Sequence, residues 1–222
     1  MATLSNIQTQ FYDLIRETSG DSHLTPTQVN SLANQSQRLI APIIRIPRKM
    51  DGGTQVTQGM GSVTLPTDNL LILQAYFGDP AIQGDFRALT VTKEDNIVQI
   101  IPNWLETNTA AQSRPRYFFE RTLTTGMLIP KANAEESATG KIIQFTYVYN
   151  PADLSDSDSP SFPLPYHDIM KFMMASIYYD SSGNIPVGQA MLQKFMFFHN
   201  EIKDASLTEV QGAMRWQWGN EF

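Results

Sequence analysis

The period of the apolar residues changes twice along this chain, and that change constrains the fold more than any single motif. Near the start, Leu4, Ile7, Phe11, Leu14 and Ile15 recur at helical spacing. Between Ile43 and Tyr149 the runs SVTLP, NLLILQAYF, RPRYFFERTL and KIIQFTYVY alternate with a period of two and are rich in β-branched and aromatic residues. Helical spacing returns at Tyr166, Ile169, Met170, Met173, Met174 and Ile177, and again, after the DSSGN break, at Val187, Met191, Phe195, Phe198 and Ile202. A strand-rich section thus interrupts helices.

The economical arrangement is α+β: a bundle of N- and C-terminal α-helices with an inserted antiparallel β-rich domain. Its expected parts are N-terminal helices over 1–42, the insert with a hairpin arm over 43–150, a connector over 151–165, a helical hairpin over 166–205 and a C-terminal arm over 206–222. Ser5 and Gln8 stand at capping-box separation, and so do Thr25 and Gln28, with Pro26 at the first helical position between them. Pro42 and Pro47, which lack an N–H, should end the second helix. A short helix is expected near Thr92, and NPADLSDSDSPSFPLP reads as an extended linker. Phe195, Met196, Phe197 and Phe198 are consecutive and so encircle their helix. One face cannot bury all four, and some must meet another layer or another chain.

At 222 residues, 41% hydrophobic and 17% charged, the chain can bury a core without covalent staples. Having no cysteine, it can form neither disulfides nor thiolate metal sites. The start carries no basic region followed by an apolar run, and no later run has the length of a membrane span, so synthesis in the cytoplasm and no membrane contact are expected. A formal net charge of −6 opposes tight binding of phosphate backbones.

Catalytic signatures are missing. His23, His167 and His199 lack ligand spacing, and His167-Asp168 at a helix start reads as structural. Asp153, Asp156 and Asp158 lack the glycine and terminal glutamate of a calcium loop, and DGGTQVTQGMG precedes a strand, where a phosphate cradle needs a helix. With no nucleophile elbow and no carboxylate pair in an apolar setting, no catalytic, cofactor or metal residue is expected, and the chain reads as no enzyme.

The order of NSLANQSQRLIA, VTLPTDNLLILQAYF, LTVTKED, RPRYFFERTLTTGMLIP, KIIQFTYVYNPADLSDSDS and FPLPYHDIMKFMMASIYY, from about Leu4 to Lys203, resembles the head-to-tail adaptor (connector) proteins of tailed bacteriophages, most closely the short-tailed, tail-tubular type. That resemblance implies a virion structural protein made in the host cytoplasm. It implies a dodecameric ring in the neck of the particle, between portal protein and tail nozzle or tube, through whose lumen genomic DNA passes without tight binding. DSSGNIPVGQ and the stretch after Asp204 depart from the family pattern. Under this reading the hairpin, with Tyr117, Phe119, Arg121 and Leu128, is an arm whose edges are satisfied by a neighbouring subunit or tail protein. Arg215, Trp216, Trp218 and Phe222 then bind the portal or an adjacent subunit, the two tryptophans pointing the same way if the segment is extended. The alternative is a β-rich receptor- or carbohydrate-binding virion module, prompted by Tyr76, Trp104, Tyr117 and Tyr147. A metal-dependent hydrolase is a third reading, for which no carboxylate/His constellation is found.

Overall fold

The computed structural model describes residues 3–16, 23–57, 60–101, 114–132 and 140–218, with side chains described as far as 205. The chain is mixed α/β and divides into two compact units: 1–43 with 151–222, and 44–150.

The first unit contains α1 (Leu4–Ile15), α2 (Pro26–Ile44), α4 (Leu164–Ser181) and α5 (Ile185–Trp218). Helix α1 buries Leu4, Ile7, Phe11 and Tyr12, and Phe11 meets Tyr178 of α4 edge-on, with centroids 6.1 Å apart. No side chain caps α1. Thr3, not Ser5, occupies its N-cap, and the N–H groups of Leu4 and Ser5 donate instead to the carbonyls of Asp158 and Asp156 at 2.8 and 3.4 Å. The expected box at α2 is present: Thr25 N donates to Gln28 Oε1 at 2.8 Å and Gln28 N to Thr25 Oγ1 at 3.3 Å. Pro42 does not end α2, which runs on to Ile44. In the last turn Pro42 removes only one backbone bond, and the helix stops where Arg45 turns left-handed (φ 57°). The aspartate-rich linker is strapped to α2, since Gln37 Nε2 donates to Ala152 O at 2.6 Å, Leu154 N to Asn34 Oδ1 at 2.8 Å, and Arg38 pairs with Asp153.

The second unit holds β1 (Arg48–Met50), β2 (Thr54–Gln55), β3 (Ser62–Thr64), β4 (Asn69–Gly78), β5 (Arg87–Thr92), α3 (Glu94–Ile100), β6 (Tyr117–Glu120), β7 (Thr125–Ile129) and β8 (Ile142–Tyr149). They form one sheet in the order β1-β8-β4-β5-β6-β7-β3, with β2 also on β8. The sheet is mixed, because β5 and β6 run parallel through the α3 crossover while all other pairs are antiparallel. It also curls. Phe118 on β6 and Phe145 on β8 lie 5.0 Å apart by ring centroid although β5 and β4 stand between their strands, so a single core gathers Val63, Leu65, Ile72, Phe77, Leu128 and Ile143 around them. The other face of β6 and β7 is buried as well, where Phe119 and Ile129 pack with Ile97 of α3. Buried on two faces, Phe118-Phe119 departs from simple alternation.

The hairpin turns at Arg121–Thr124, and Thr125 and Gly126 already belong to β7. Gly126 is needed because a Cβ there would lie 2.3 Å from the Phe118 ring. The entry to β6 is anchored by Arg114, which pairs with Asp85 Oδ1 at 3.0 Å, donates to Phe77 O and Asp85 O at 2.9 and 2.6 Å, and lies over the Phe77 ring. Asp85 Oδ2 accepts from Asp79 N at 2.8 Å, which closes the β4–β5 loop. The Arg114 hydrogen bond, helped by the Asp79 N–H, holds the Asp85 carboxyl below its usual value. A depressed carboxylate stabilises fully above its unfolded value of about 3.9 and loses that contribution as pH falls through the folded one. Arg114→Met should therefore cost about 1–2 kcal/mol near neutral pH. In urea titrations, the stability gap between wild type and Asp85→Asn should close on acidification below about pH 4. A gap unchanged down to about pH 2 would show that the ion pair contributes nothing.

Candidate interaction surface

Three residues, Ser182, Gly183 and Asn184, join α4 to α5. Gly183 adopts φ 82°, its N–H donates to Asp180 O at 3.2 Å, and Asn184 N donates to Tyr179 O at 2.8 Å. Those bonds close α4 with the paired pattern of a Schellman turn. The Asn184 carbonyl then accepts from Val187 and Gly188, starting α5 with Pro186 in its first turn, where a missing N–H is harmless. Two antiparallel helices result.

Phe195 is fully buried in this hairpin and stacks with His199, whose Nδ1 is 3.2 Å from the Tyr166 hydroxyl. Burial, then the positive charge of Lys203, keeps the His199 pKa below its usual value. With one helical position fixed at Phe195, the next three rotate outward at about 100° per residue. Met196, Phe197 and Phe198 are accordingly 38%, 60% and 39% exposed, and Phe198, expected on the buried stripe, lies at its margin. On one side Phe172, Ala190, Gln193, Lys194, Phe197 and Phe198 line an open groove of about 520 Å³. Its aromatic wall is ordered: Phe172 and Phe198 stack at 5.5 Å, Phe197 meets Phe198 edge-on at 5.4 Å, and Lys171 Nζ sits 5.6 Å above Phe172. Phe172 was missed, and its signal in the sequence was an aromatic side chain off the α4 stripe. The exposure of Leu192 and Met196 was not legible, because it depends on how α5 is rotated against α4.

The hairpin residues fall differently from expectation. Phe119 and Leu128 are fully buried, Tyr117 is half-buried and Arg121 is exposed. Both flanks of the β6–β7 pair are occupied within the chain, by β5 on one side and β3 on the other, so its strands offer no free edge. What projects is the tip, where Leu123 is 85% exposed beside a turn held by Thr124 N and Thr125 N donating to Thr122 Oγ1 at 3.3 and 3.0 Å. Backbone helix α5 continues through Arg215, Trp216 and Trp218, so positions 216 and 218 are not aligned as in a strand; Phe222 lies outside the described residues.

Tyr147 is core, with its hydroxyl donating to Asp68 at 2.9 Å, and Trp104 lies outside the described residues. His167 is buried and its Nε2 donates to Phe162 O at 2.8 Å. Among the described residues no group of three or more His, Asp and Glu could hold a metal ion, and no helix is long and apolar enough to cross a membrane.

Residues 2–217 match the family model described as SU10 adaptor protein, a correspondence that runs through both units. No curated protein matches the chain.

The contrast between Phe195 and its neighbours can be measured. Phe195→Ala should destabilise the first unit by about 3–5 kcal/mol, while Phe197→Ser should stay within about 1 kcal/mol of wild type in denaturant melts. Equal losses at the two positions would mean that Phe197 belongs to the core.

Proposed function

Because the chain belongs to the SU10 adaptor protein family, we propose that it is the head-to-tail adaptor of the tail-tubular, short-tailed type, a virion structural protein forming a ring between portal and tail. Membership makes it a phage adaptor and a virion component that meets other virion proteins. The observation that carries the reading is the extent of that match, over residues 2–217. In the proposed particle, twelve copies surround a lumen in the neck, one rim on the portal and the other on the tail nozzle or tube, after synthesis in the host cytoplasm.

Physical features support this reading. The apolar faces of α1, α2, α4 and α5 suit one bundle of N- and C-terminal helices. Exposed phenylalanines on α5 suit a chain that is completed by neighbours. A net charge of −6 suits a conduit, since a negative wall repels the phosphate backbone and lets the genome slide. The role is non-enzymatic and needs no cofactor. Arg215, Trp216, Trp218 and Phe222 are the proposed portal anchors, now as the end of a long helix, and Arg121 and Leu123 at the hairpin tip the proposed contact with a neighbour or the tail.

Class averages of particles, of the full chain alone and with portal, test the reading. The free chain should sediment as monomer or weak oligomer and form rings on the portal. Removing residues 212–222 should leave the thermal midpoint nearly unchanged and sharply weaken portal attachment. Unaltered attachment with a large loss of stability would assign the segment to the core, and particles without rings in the portal complex would overturn the proposed function.

A further inference from the structure

Helix α5 exposes apolar side chains on both sides of its buried Phe195. At about 100° per residue, Leu192 and Met196 lie to one side of that position, and Phe198 and then Phe197 to the other. Leu192 is 40% and Met196 38% exposed, so neither side is closed by the rest of the chain. The two flanks differ in chemistry. One is aliphatic with a thioether, whereas the other is the aromatic-walled groove of Phe172, Phe197 and Phe198.

We infer that these flanks form the seam between adjacent copies of this chain, with Leu192 and Met196 of one copy entering the Phe172/Phe197/Phe198 groove of the next. The inference rests on the ring reading and names its contact surface. Thioether sulfur packs favourably against aromatic rings, and methionine adapts to an irregular groove. Few polar groups converge in the groove, so it fits apolar knobs better than a polar small molecule.

Geometry sets the symmetry. The two flanks lie on roughly opposite sides of α5 and cannot both face one partner across a two-fold axis, so the contact is heterologous, and heterologous contacts generate rings or filaments. Leu192 and Met196 fall within the stretch of α5 from Ala190 to Phe198 that lines the groove, so knobs and groove overlap along the helix axis. Copies can engage by rotation about an axis along α5 without a rise, which closes a ring instead of climbing into a filament. The area sets the strength of the contact. Exposed large apolar side chains supply on the order of 200 Å² per flank, well below the roughly 800 Å² per partner of a stable binary complex. Such a seam does not hold two free copies together by itself and becomes sufficient when copies are held side by side on a common template.

The chain has no cysteine, so every thiol it carries in the test is an introduced one. Met196→Cys together with Lys194→Cys places one thiol on each flank, and residues two apart on a helix do not face one another. Leu192→Cys with Lys194→Cys is the second pair. Rings on the portal or in virions, treated with a short bismaleimide, should give a ladder of covalent multimers from either pair and none from any single variant. Dimers from Met196→Cys alone would mean that like flanks meet, which overturns the inference. Rings seen by microscopy that yield no ladder from either pair would move the seam elsewhere and leave the ring reading intact. Particles that show no ring at all would remove the ring reading, and the seam with it.

Discussion

Burial of Phe195 between α4 and α5 fixes the rotation of the longest helix, and the exposed chemistry of the first unit follows from it. Four large apolar residues in succession cannot share one helical face, so anchoring the first sends the other three outward. The Gly183–Asn184 turn sets how α5 returns along α4, and this places Phe172 of α4 beside Phe198. A one-residue change in the turn would shift every residue of α5 by about 100° relative to α4 and replace Phe195 in the core by a neighbour.

The second unit meets an equivalent constraint by different means. The pair Phe118-Phe119 points to opposite faces of β6, and both faces are covered: one by the curl of the sheet, which brings Phe145 of β8 against Phe118, the other by α3 through Ile97. Gly126 gives way to the inner ring, and Arg114 ties the strand's entry to the β4–β5 loop. Because β5 and β3 already flank the hairpin, its strands are satisfied inside the chain. The turn, with Leu123, projects for contact beyond it.

What could be read from the sequence was what depends on near neighbours in the chain. The Thr25–Gln28 box, the buried positions of α4, and the alternation of β4 and β8 each follow from spacing within one element. What depends on remote residues was hidden. Nothing near Tyr117 announces that β5 will lie parallel to it, nor does anything near Gly126 announce Val63 as its partner across the ladder. The Asp156 and Asp158 segment looked like a solvated linker because its side chains are polar, yet its carbonyls serve the first N–H groups of α1. Backbone acceptors leave no mark on side-chain composition. Pro42 misled for a related reason, since its cost falls with its distance from the helix interior.

The same limit explains why the interaction surface was only half legible. A run such as Phe-Met-Phe-Phe says that apolar area will be left over, but not on which side, because that depends on the rotation set by the α4–α5 turn. Once the rotation is known, the leftover separates into two unlike flanks on one helix. Under the proposed ring, weak seams of this kind have a physical consequence. Each copy held on a common template raises the effective concentration of the next, so contacts too small to hold two free copies together become sufficient once several are held in place. Under that proposal assembly would be tied to the portal, which suits a chain whose exposed aromatic groove is a hazard until a neighbour covers it.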